Sequence, residues 1–82
     1  GLLELKKHDE ENQTQYMETL RVYLEQHLSA TQAARELFIH RSTFLYRLDR
    51  IKEILQSELD DPEEIFYLEL SFRLLEQEQE KE

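Results

Sequence analysis

The 82 residues contain no cysteine, so neither a disulfide framework nor a thiolate zinc site is open to this chain. That composition suits a reducing compartment, and we expect the cytoplasm. One glycine and one proline leave little material for hairpins. No apolar run nears the ~20 residues of a membrane span, and no signal-peptide pattern opens the chain, so a membrane partner is not expected. A glycine-rich phosphate loop and a nucleophile elbow are both missing. The three histidines, His8, His27 and His40, are too scattered to suggest a metal set. The acid run Asp60, Asp61, Glu63 and Glu64 lacks the alternating pattern and glycine of a calcium loop. Nothing points to an enzyme, a metal or a cofactor. Bases are also scarce: ten against nineteen acids, a net charge of −9, which runs against DNA binding by the whole surface.

What is present is helical. A chain of this size buries about 60–65% of its unfolded surface, enough for one small core. Apolar periodicity predicts five helices. The first covers about residues 2–10, with Leu2, Leu3 and Leu5. Thr14 is the expected N-cap of a second helix reaching about residue 27, with Met17, Leu20 and Leu24 at i, i+3, i+7. Ser29-Ala30-Thr31-Gln32 fits a capping box and starts a third helix over residues 30–37. The fourth, about 42–57, carries Phe44, Leu48, Ile51 and Leu55 on one stripe, with Thr43, Tyr46, Arg47 and Arg50 roughly 120° away. Asp61-Pro62-Glu63-Glu64 caps a fifth over about 62–76, and residues 77–82 should fray. The expected fold is all-α: one five-helix domain over residues 1–82, containing a helix-turn-helix and closed by a long C-terminal helix.

The third and fourth helices carry the functional signal. Ala33 and Ala34 allow close packing, Leu37-Phe38-Ile39 forms an apolar corner, and His40-Arg41-Ser42-Thr43 gives the next helix a polar start. That is the pattern of a helix-turn-helix, whose second helix offers its N-terminal end to a major groove. The bland alternative is a plain bundle, since glycine is usual in the turn and Phe38 stands there instead. The charge distribution favours the functional reading. Residues 29–59 hold five bases against four acids, and Arg41, Arg47, Arg50 and Lys52 face Asp49 alone within residues 40–52. At physiological salt, charges beyond ~8–10 Å are largely screened.

Thr19-Leu20, Tyr23-Leu24, Leu28-Ser29-Ala30-Thr31, Ala34, the run from Leu37 to Thr43, Tyr46-Arg47-Leu48 and Ile51 stand in one pattern. Leu59-Asp60-Asp61-Pro62-Glu63 follows it. In these residues the chain closely resembles the C-terminal helix-turn-helix domain of the PucR/CdaR family of bacterial transcription regulators. It is more weakly similar to the Fis-like fold. It departs at Gln26-His27-Leu28, where relatives often carry a longer loop, and at Ser42, where Asn is usual.

The resemblance implies that the fourth helix is the recognition helix and that double-stranded DNA is the partner. Arg41 can bond both O6 and N7 of a guanine, and His40 can donate or accept at a base edge. Ser42 and Thr43 suit a phosphate. Tyr46, Arg47 and Arg50 would hold backbone further along, and Ser29, Thr31 and Gln32 would meet phosphates from the supporting helix. Each has a duller reading. Arg47 and Arg50 can pair with Asp49 or Glu53, Tyr46 can pack on the second helix, and Ser29 can serve as a cap alone.

The start at Gly1 and a single methionine, Met17, lead us to expect a fragment of a longer regulator. The resemblance implies an upstream sensor domain responding to a purine degradation product or a sugar diacid. The fifth helix is apolar around most of its circumference, so its second side is expected to meet another subunit or a preceding domain, and it is the candidate surface of the homodimer that two half-sites call for. Phe66, Leu70 and Leu74 lie on one side, and Leu68, Phe72 and Leu75 on another. The competing class is a protein-interaction module that keeps the fold and docks a partner through this helix.

Overall fold

The computed structural model describes residues 1–80 as five helices: α1 (Leu2–Asn12), α2 (Tyr16–Glu25), α3 (Ala30–Glu36), α4 (Arg41–Leu55) and α5 (Pro62–Glu80). Among the described residues no strand occurs. The apolar recurrence explains the packing. Leu5 of α1, Leu20 of α2, and Phe44 and Ile51 of α4 lose all contact with solvent and meet in one core. The Tyr23 ring tilts against Phe44 at 5.6 Å. Buried Ala33 and Ala34 let α3 lie close to α2 and α4, and α5 packs against α2.

The helix ends depart from the periodic pattern in instructive ways. α1 continues to Asn12, whose side-chain amide donates back one turn to the His8 carbonyl at 3.0 Å. Thr14 does not cap α2. The Asp9 carboxylate takes that role from α1, accepting from the Tyr16 and Met17 amides at 2.9 and 2.8 Å and from the Thr14 hydroxyl. A carboxylate placed there also complements the positive end of the helix. Ser29 accepts from the Gln32 amide at 3.2 Å and caps α3, and Asp61 accepts from the Glu63 amide at 3.0 Å at the start of α5. α2 stops two residues earlier than its pattern suggests because His27 and Leu28 both take positive φ.

With its single glycine at the first position, the chain ends its helices on other residues. Gln13, His27, Leu28, Phe38, Gln56 and Leu59 all have φ between 52° and 65°. Left-handed backbone costs an L residue about 1–2 kcal/mol. After α3, the Phe38 amide donates to Arg35 O and the Ile39 amide to Ala34 O, both at 3.1 Å, which is the Schellman pattern with phenylalanine in the usual glycine position.

The two sides of α5 fare differently. Leu68 and Phe72 are buried and Leu75 is partly buried, all within this chain's own core. Phe72, grouped in the sequence reading with a dimer surface, therefore belongs to the interior, because α5 turns that side onto α2. Phe66, Leu70 and Leu74 stay 64%, 45% and 54% exposed. α5 stays helical through Gln77 and on to Glu80, beyond the expected fraying point. Residues 81 and 82 lie outside the described residues.

Candidate nucleic-acid interface

Buried Phe44, Leu48 and Ile51 anchor α4 and fix its rotation about its own axis. That leaves Arg41, Ser42, Thr43 and Tyr46 exposed, with His40 exposed at the cap position. Four residues, Leu37 to His40, connect α3 to α4, the connection length of a helix-turn-helix. On the neighbouring helix Thr31 and Gln32 are exposed, while Ser29 is partly buried with its hydroxyl engaged as the cap.

His40 does more than the sequence suggests. Its Nδ1 accepts from the Ser42 amide at 3.1 Å and lies 2.8 Å from the Ser42 hydroxyl. A backbone N–H can only donate, so this ring nitrogen is unprotonated and the proton resides on Nε2. The exposed edge of His40 is thus a hydrogen-bond donor, suited to a purine N7, a guanine O6 or a phosphate oxygen. The choice between donor and acceptor left open by residue type is closed by the capping role.

The basic side chains divide by what they already touch. Arg47 turns inward, and its Nη1 donates to the Thr19 hydroxyl of α2 at 3.3 Å. Thr19 is fully buried and donates in turn to Gln15 O at 2.7 Å, so Arg47 ties α4 to α2 and takes neither expected acid as partner. Arg50 pairs with Glu53 at 2.7 Å, and that carboxylate raises the guanidinium above its ordinary value. Arg41 has no ion pair among the described residues, leaving its five donors available at the positive end of the helix. Tyr46 is 64% exposed. The sequence reading missed Asp9 and Thr19 because their partners lie seven and twenty-eight residues away, beyond any local motif.

The sequence profile of the PucR C-terminal helix-turn-helix domain matches residues 16–74, from the first residue of α2 into α5. The chain belongs to this family. PucR-type helix-turn-helix domains are the DNA-binding parts of transcription regulators and are not enzymatic. The purine catabolism regulatory protein of Bacillus subtilis is 38% identical over 73 residues, 89% of this chain and 14% of that protein. The proline-responsive transcriptional activator PutR of the same organism is 40% identical over 57 residues, 70% of this chain and 14% of the activator. The DNA-binding transcriptional activator AdeR, also from Bacillus subtilis, is 32% identical over 74 residues, 90% of this chain and 18% of the relative. The PucR-family chain described here therefore spans less than a fifth of the length of these curated relatives. No solved structure matches it. No helix among the described residues is long and apolar enough to cross a membrane.

Proposed function

We propose that this PucR-family domain reads operator DNA with the N-terminal end of α4, as the effector end of a metabolite-responsive bacterial regulator in the cytoplasm. One observation carries the reading. Exposed His40, Arg41, Ser42 and Thr43 occupy the positive end of a helix whose opposite stripe is locked into the core. In this assignment Arg41 and the Nε2 donor of His40 address base edges, and Ser42 and Thr43 address phosphate or base. Tyr46, Arg50, Thr31 and Gln32 hold the backbone on either side, and Ser29 and Arg47 position the two helices.

The upstream part of such a regulator senses a small metabolite. The names of two relatives, purine catabolism regulatory protein and proline-responsive activator, support a nitrogen-containing one. The family resemblance also admits a sugar diacid. A homodimer joined through Phe66, Leu70 and Leu74 of α5 would place two recognition helices on half-sites one helical turn apart. The test is fluorescence anisotropy against duplexes selected from a random pool by the wild-type chain. Binding that weakens with salt and collapses in Arg41→Ala supports the reading. Absence of any selected duplex, with the chain folded, refutes it.

The net charge of −9 and the exposed side of α5 favour a second reading, an interaction module docking a partner through that helix. Under it, Arg41→Ala changes nothing, while Leu70→Asp abolishes association.

A further inference from the structure

Of the three large apolar residues at positive φ, Leu28, Phe38 and Leu59, the last two make opposite bargains with solvent. Leu59, at φ 55°, is 3% exposed, and its burial in the core offsets the strained backbone. Phe38, at φ 57°, is 95% exposed. Among the described residues no burial of the ring offsets the left-handed backbone or the apolar surface it holds in water. Glycine would fit the same turn without either penalty.

The position of Phe38 limits what can meet its ring. It precedes the cap residue His40 by two residues, so its Cα lies within about 7 Å of that of His40 and about 11 Å of that of Arg41. The major groove of B-DNA is about 12 Å wide. With the N-terminal end of α4 in the groove, the turn rides at the groove rim. A protein seated on Phe38 would occupy space that the duplex needs.

We infer that Phe38 is an apolar DNA contact, its ring packing on the sugars and thymine methyl groups at the edge of the half-site. It supplements the polar contacts of His40 and Arg41, and the inference rests on the DNA-reading assignment above. The contact is specific to the turn and carries no charge.

The experiment measures three variants on duplexes selected by the wild-type chain, over a series of salt concentrations. Phe38→Gly and Phe38→Asn suit the left-handed backbone, and Phe38→Tyr keeps the ring. The expected result is that the first two melt at or above the wild-type temperature, yet bind roughly fivefold to tenfold more weakly. Their salt slope should match wild type, because no cation is lost, while Arg41→Ala both weakens binding and flattens the slope. Phe38→Tyr should bind as wild type does. Undiminished affinity in Phe38→Gly and Phe38→Asn, with Arg41→Ala still defective, overturns the inference and leaves the DNA reading intact. If the wild-type chain selects no duplex, both fall together.

Discussion

At the scale of single residues, His40 caps α4 and is also a proposed DNA contact, and the two roles can be separated by substitution. Its Nδ1 caps α4, and only Nε2 faces outward. His40→Asp keeps an acceptor for the Ser42 amide and places a negative charge at the positive helix end, where it is stabilising by about 0.3–1 kcal/mol. The same charge faces phosphate and removes the outward donor. We expect thermal unfolding at or above the wild-type temperature together with at least about a tenfold loss of DNA affinity, each kcal/mol scale following from one lost donor and one added repulsion. Loss of both stability and affinity would show that the ring, rather than its acceptor atom, holds the helix end. His40, Arg41, Ser42 and Thr43 were legible in the sequence because their order alone marks a helix start. The capping role of Asp9 and the inward turn of Arg47 were not, because both depend on helices brought together only by the fold.

At the scale of elements, all five helices were legible: α2 and α4 from the helical spacing of Met17, Leu20 and Leu24 and of Phe44, Leu48 and Ile51, α3 and α5 from the caps Ser29 and Asp61, and α1 from Leu2 and Leu5. The ends were harder to read. Sequence reasoning looks for glycine after a helix, and this chain stops α1, α2, α3 and α4 on Gln13, His27, Phe38 and Gln56 instead. Exposed His27 is a clean place to test the cost. His27→Gly should raise stability by about 0.5–1 kcal/mol, the relief of left-handed strain less the added freedom of the unfolded chain. Chemical denaturation should move the midpoint upward without altering its slope; a lower midpoint would mean that the imidazole makes a compensating contact. α5 shows a different limit. Its apolar excess was legible, but which side is internal became clear only from its packing on α2, which claims Leu68 and Phe72 and leaves Phe66, Leu70 and Leu74 outside.

At the scale of the whole molecule, the net charge of −9 is compatible with the proposed DNA-reading end because the acids lie mainly outside residues 29–59. Screening confines their repulsion to neighbours within about 8–10 Å. The exposed side of α5 supplies the proposed second contact, between copies. Phe66→Asp combined with Leu70→Asp should convert a dimer seen by sedimentation equilibrium into a monomer with unchanged helical content, since neither side chain lies in the core. An unchanged association state would remove α5 from the dimer account. The central claim is that the N-terminal end of α4 reads DNA. The measurement that tests it most directly is the affinity of wild type and Arg41→Ala for a selected duplex across a salt series. The account predicts salt-sensitive wild-type binding and a loss of about 1–3 kcal/mol in the variant, with relaxed preference at one base position. Equal affinities for wild type and Arg41→Ala at every salt concentration would contradict it.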